Sequence, residues 1–564
     1  MSSAPPTPHS SRRLPLAGVL RARRPSDIWF KPALSSVAAV APPNLTLLAL
    51  GRLDLAMYTM AGSMCALYAH NRPYAARART LLRVVLGMVG GLAVALVTAS
   101  LTRDAVVLVA VGALLAAAQK VLSDATRLGP PGNVVLTFIT SAALFVPQTL
   151  GQVPGHLGLA LVAGAWAWIV GMAPGLLRPH GPERRATAGA LNAAAAYAAT
   201  RGVGEGRTAA RSAGYAAVQA AWQCLLSLPA TGARATTRRA LERLVIRAEV
   251  ALAAPADADP ERLRGWARDL RGTGPLPHTG NGPGGGGDDE LLGLETELAA
   301  RPRPLWRRLG PLAPIGLRTA LGCALAGYAS LALGIGRPYW ALVTAAALYQ
   351  ANLTLTWSRT VQRVVGNIAG VLVFAALAPV AHLHQAFLVV FCLACGFGAE
   401  ALISRNYWLG SVCVTPMALL ISEFARYQDP AELITERVVD TLVGAVVGFL
   451  AAAAVTNRRT ASRVEETLAA ADRAREDAAR LLARPAPGPA ALDTARRALA
   501  AALTDLRVTA DAAAGEWWQR SLPQERVVLA EQAGHRTLAA TVRRRTADAD
   551  QDQDMGTTTE DVRP

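Results

Sequence analysis

Twelve apolar runs constrain this chain more than any other feature. They fall at 33–49, 53–69, 81–101, 105–122, 133–150 and 155–177, then at 313–334, 338–355, 361–380, 385–402, 405–423 and 433–456. Each is about 17 to 24 residues, the length a helix needs to cross roughly 30 Å of hydrocarbon. Composition agrees: 52% of the residues are apolar and 17% charged, where a soluble chain carries about 25% charge. The expected fold is all-α and polytopic, with about 12 transmembrane helices.

Basic residues set the expected orientation, because arginine and lysine concentrate in cytoplasmic loops. The N-terminal tail carries Arg12, Arg13, Arg21, Arg23, Arg24 and Lys31. Along the chain every second loop is the richer one, apart from a near-tie at Arg405. Both termini and the central region are therefore expected in the cytoplasm, with a multi-pass protein in the plasma membrane. The net charge of +17 then tracks a membrane face, and no nucleic-acid partner is expected.

Six crossings return the chain to its starting side, so both blocks enter alike, as a parallel repeat requires. Arg79-Thr80-Leu81-Leu82-Arg83-Val84-Val85 matches Arg359-Thr360-Val361-Gln362-Arg363-Val364-Val365 at an offset of 280. Asn133/Asn406, Gly171/Gly444 and Gly175/Gly448 share an offset of 273. Two parallel six-helix repeats, 33–177 and 313–456, follow. GxxxG spacing at Gly87/Gly91, Gly171/Gly175, Gly366/Gly370 and Gly444/Gly448 predicts close backbone approach inside the spans.

The remaining sequence divides into a basic tail (1–32), a central helical region (178–312), a second helical region (457–546) and an acidic tail (547–564). The central region carries 19 arginines against 13 acids and contains a Gly-rich linker, 272–289. That linker lacks the Gly-Lys-Ser/Thr of a phosphate loop. HExxH, GxSxG and Walker patterns are absent, so neither an enzyme nor an ATP-driven pump is expected. Cys392-x-x-Cys395 has zinc or redox spacing but no second ligand pair, and it lies in an apolar run. No cofactor or metal is expected.

Polar residues within the spans carry the functional signal, since charge in hydrocarbon is costly and lines pathways. The densest group runs from Tyr339-Trp340 through Tyr349, Gln350 and Asn352 to Arg359, Arg363 and Asn367, with Asn406, Tyr407 and Thr415 further on. Arg359 and Arg363 share a helix face, and Arg79 and Arg83 repeat the spacing. Four guanidiniums about a pseudo-twofold axis would attract a carboxylate; the competing reading is anchors that snorkel to lipid phosphate. Arg437 and Asp440, three apart beside Glu436, are candidates for an ion pair or for coupling. Lys120 and Glu400 coincide at the repeat offset and are expected near each other.

The stretches PYWALVTAAALYQ, TWSRTVQRVVGNIAG, NYWLGSVCVTPMALL and ERVVDTLVGAVVG resemble the fusaric acid resistance protein-like family, which includes aromatic acid exporters. The resemblance rests on Tyr339-Trp340, Arg359/Arg363/Gly366/Gly370, Asn406-Tyr407, Thr415-Pro416 and Arg437/Asp440/Thr441/Gly444. The first block lacks the Tyr-Trp entry, the Thr-Pro and the Arg-x-x-Asp. The resemblance implies export of aromatic or related organic acids coupled to an ion gradient. A passive organic-anion channel and a membrane-anchored scaffold are the alternatives. Expected partners are the lipid bilayer, a small organic anion, and a second copy of the chain or an adaptor protein.

Overall fold

The computed structural model describes residues 16, 18–22, 29–200, 205–228, 235–253, 255, 258–272, 274–277, 309–350, 352–454, 460–485, 488–513, 526–538, 540, 541 and 544. Most of the Gly-rich linker, the acidic tail and most of the basic tail lie outside them.

The first block comprises α1 (Phe30–Ala49), α2 (Ala56–Ser63, flanked by 3-10 turns Leu53–Leu55 and Met64–Leu67), α3 (Tyr74–Leu101), α4 (Ala105–Ala125), α5 (Val134–Leu144) and α6 (Val153–Met172). After α7 (Pro174–Leu177) come α8 (Gly181–Ala199), α9 (Glu205–Leu226), α10 (Ala235–Ala253) and α11 (Pro260–Arg271). The second block repeats the plan as α12 (Ala313–Ala332), α13 (Tyr339–Leu348), α14 (Leu353–Ala381), α15 (Gln385–Ile403), α16 (Tyr407–Ser422) and α17 (Pro430–Ala454). A hairpin of α18 (Thr460–Leu482) and α19 (Pro489–Ala513) follows, with residues 526–538 helical beyond it.

The chain is an all-α polytopic membrane protein. Eight of the described helices are long and apolar enough to cross a membrane, and four shorter apolar ones complete the blocks. The short ones fall second and fifth in both halves. At 1.5 Å per residue α13 reaches about 15 Å, half the hydrocarbon thickness. Irregular backbone at such depth survives only where protein covers it. Both breaks accordingly carry a buried tyrosine: Tyr68 after α2, with its hydroxyl on the Gly132 carbonyl at 2.9 Å, and Tyr349 after α13. Asn352 then caps α14, accepting from the Leu355 N–H at 2.8 Å.

The first helix of each half packs on the fourth helix of the other: α1 along α15, and α12 along α4. A methyl group at Gly327 of α12 would meet Val109 of α4, and the Tyr328 hydroxyl donates to the Val106 carbonyl at 3.2 Å. On the other side Trp29 meets Phe397 edge-on at 6.3 Å. Within each half, the second helix packs on the sixth and the third on the fifth and sixth. This reciprocity is a pseudo-twofold pairing of the repeats.

The glycine pairs differ in what they do. A Cβ at Gly366 would lie 2.6 Å from the Trp408 carbonyl oxygen, and one at Gly444 would lie 2.4 Å from that of Ala341. Around Gly87 there is open space.

Outside the bundle, α8–α11 enclose their own apolar core around Leu191, Trp222, Leu244 and Leu263. The α18–α19 hairpin does the same with Leu468, Leu499 and Leu538. Glu531 joins the two regions, paired with Arg211 of α9 at 2.9 Å and with Arg507 of α19 at 3.2 Å.

Candidate functional site

A chain of buried polar side chains runs through the second block between α12, α13, α14, α16 and α17. At one end the Arg359 guanidinium lies over the Tyr407 ring, 3.7 Å from its centroid, and Arg363 donates to the Tyr407 hydroxyl at 2.7 Å. One turn further along α14, Asn367 donates to Thr441 at 3.0 Å and accepts from Thr415 at 2.7 Å. The close α14–α16 approach at Gly366 and Gly370 brings Ser411 and Thr415 to this face.

Deeper in α17, Arg437 and Asp440 are only 1% and 0% exposed. The Asp440 carboxylate accepts from Ser330 of α12 at 2.6 Å, and its second oxygen has no hydrogen-bond partner. Arg437 lies 5.2 Å from the Trp340 ring, with Nε and Nη1 making no hydrogen bond. Arg337 approaches the same ring at 5.4 Å while pairing with Glu436 and bonding to Gln428. Beyond it, Glu423 is buried and faces His382 Nε2 at 2.8 Å.

Burying a charge without satisfying it costs several kcal/mol, so four arginines against Glu423, Glu436 and Asp440 leave this seam one anion short. Arg437 offers two unused donors beside an aromatic face. A planar carboxylate fits that chemistry, because a guanidinium can hold it with parallel bonds.

Two expectations need correction. Arg79 and Arg83 are exposed and do not join Arg359 and Arg363. The buried face of α14 (Arg363, Asn367, Val371, Phe374, Ala378) corresponds to that of α3 (Val84, Met88, Leu92, Ala95, Ala99) at an offset of 279. The matched offset of 280 is thus one residue, about 100° of helix, out of phase with the packing. The buried arginine of α3 is Arg77, whose Nη2 faces His70 Nδ1 at 3.1 Å. Second, Arg437 and Asp440 form no ion pair, because Ser330 takes the carboxylate and Trp340 faces the guanidinium. Lys120 pairs with Asp124 one turn on, at 3.1 Å, and makes no ion pair with half-buried Glu400.

Tyr339 and Trp340 are buried and in edge contact at 5.7 Å. The Tyr349 hydroxyl is buried against Gly322. Gln350 bonds to the Tyr349 carbonyl, and Asn406 caps α16. Ser330, Arg337 and Gln428 escaped the sequence reading; a lone hydroxyl in an apolar helix and two loop residues gave no spacing signal. In the first block the corresponding network is neutral: Asn133 donates to Thr137, Thr137 to Gln119, and Gln119 to Thr140.

The geometry defines a polytopic membrane protein whose second repeat carries most of the buried charge of the two blocks. Residues 324–451 match the family model of fusaric acid resistance protein-like proteins, the family the motifs resemble. The match contains the seam from Ser330 to Thr441. That family is one of membrane transport proteins. No curated protein and no solved structure matches the chain.

Proposed function

We propose that the protein exports aromatic or related organic acids across the plasma membrane, with both termini in the cytoplasm and transport coupled to an ion gradient. The observation that carries the reading is Arg437: a fully buried guanidinium with two unused donors, facing Trp340 and one turn from a carboxylate with a free oxygen. An organic anion would take those donors, and its ring would lie among Trp340, Tyr339 and Tyr407. Arg359 and Arg363 would collect the anion at the cytoplasmic end. Asp440, whose charge opposes Arg437, is the group whose protonation would link proton and anion movement.

Reconstituted vesicles loaded with a panel of benzoate and cinnamate derivatives test this. Efflux should exceed that of empty-protein vesicles, fall at least tenfold in Arg437→Ala, and lose its concentrative component when the proton gradient is collapsed. Equal efflux from parent and Arg437→Ala vesicles would overturn the reading. Flux that follows only the anion's own gradient would replace the exporter by a passive channel.

A further inference from the structure

Residues 18–22 lie against Gln362, in the third turn of α14, and against the start of α16, far in sequence from both. Gly18 adopts a φ of +81°, and the Arg21 N–H returns to its carbonyl at 3.1 Å, which turns the segment back on itself. Three successive carbonyls are then taken by side chains of the second block. The Val19 carbonyl accepts from Gln362 Nε2 at 2.9 Å and from Asn406 Nδ2 at 3.0 Å. The Leu20 carbonyl accepts from Trp408 Nε1 at 3.0 Å, and the Arg21 carbonyl from Asn406 Nδ2 at 3.1 Å. Val19 itself is buried.

These donors flank the guanidinium cluster. Gln362 lies between Arg359 and Arg363 on α14, and Asn406 and Trp408 stand on either side of Tyr407. Asn406 serves both partners: its oxygen faces the Trp408 N–H at the start of α16, and its nitrogen holds the segment. Hydrogen bonds of this kind are individually weak, because water competes for each donor once the segment leaves. A handful of them, with one buried valine, make a contact that can open and close.

We propose that residues 18–22 form a reversible strap that closes the cytoplasmic entrance to the Arg359–Tyr407–Arg363 cluster, and that its release admits the anion. The entrance role rests on the transport reading; the closure does not, so the two are tested apart. In inverted vesicles, an anionic, membrane-impermeant methanethiosulfonate reports access to Arg359→Cys in the full-length chain and in a chain lacking residues 1–22, with the parent as the control for native cysteines. Removing the strap should speed labelling about tenfold, the factor that 1.4 kcal/mol of closure gives. A Val19→Cys/Gln362→Cys pair should cross-link, stop anion efflux, and release it on reduction.

Equal labelling of the two chains overturns the strap, as does a cross-link that leaves efflux unchanged. Protection of Arg359→Cys in a parent that moves no anion leaves the closure standing and removes the transport reading instead. Should Arg359→Cys fail to fold, the cross-linked pair decides alone: failure to cross-link overturns the docking.

Discussion

The Ser330 hydroxyl donates to the Asp440 carboxylate at 2.6 Å, and this bond joins α12 to α17 inside the second repeat. It draws one carboxylate oxygen away from Arg437 and leaves the other without a partner. Ser330→Ala should cost about 1–3 kcal/mol, the usual price of an orphaned buried acceptor, and Ser330→Thr should recover most of it. Thermal unfolding in detergent measures both. A Ser330→Ala protein as stable as the parent would mean the bond is incidental.

The two arginine pairs should separate sharply in function. Arg79→Ala with Arg83→Ala removes exposed charge and should leave vesicle efflux within about twofold of the parent. Arg363→Lys keeps the charge but loses the planar fork that reaches Tyr407, and efflux should fall at least tenfold. A ranking in the opposite order would show that the first block collects substrate.

Glycines with identical spacing should respond differently to alanine. Gly366→Ala drives a methyl group into the Trp408 backbone and Ser411, and should cost about 1–3 kcal/mol through overpacking. Gly87→Ala meets open space and removes a flexible residue from a helix, so it should be neutral or stabilising by up to about 1 kcal/mol. Size-exclusion profiles after graded heating distinguish them, and equal losses would refute the assigned packing.

Contact between the two charged helical regions should weaken in acid. His535 lies beside the Tyr215 ring; burial, together with Arg211 and Arg507, pulls its pKa from 6.5 down to about 4. A histidine depressed on folding favours the folded form while neutral, so its contribution is complete above about 6.5 and is lost as pH falls towards about 4. Hydrogen exchange in 526–538 should therefore rise across that window, and His535→Phe should flatten the rise. A pH-independent parent would place the imidazole in water.

Hydropathy made the twelve apolar helices legible but not that eight are of spanning length and four are short, because a short helix covered by protein needs an apolar run as much as a crossing does. It could not show that α5 stops at Leu144 while the apolar run continues to 150, since a buried helix end and a buried helix read alike. Arg437 and Asp440 were visible from their type and depth, but their partners were not: i,i+3 spacing makes a pair possible, and Ser330 and Trp340, over a hundred and about a hundred positions away, decide against it. Arg79 and Arg83 misled for a geometric reason. Sequence similarity aligned the letters of α3 and α14, whereas packing aligned their buried faces one residue apart. The strap escaped altogether, because Asn406, Gln362 and Trp408 recognise backbone carbonyls, which every residue carries.

The exchange of first helices between halves has a consequence for how the chain holds together. Each repeat lends an arm to the other and receives one in return, as in a domain-swapped pair whose members have been fused. The central region between α6 and α12 is then a tether rather than a load path. Two fragments divided there, synthesised side by side, would find each other through two equivalent seams, α1 with α15 and α12 with α4, and either fragment alone would expose both an unclaimed arm and an empty berth.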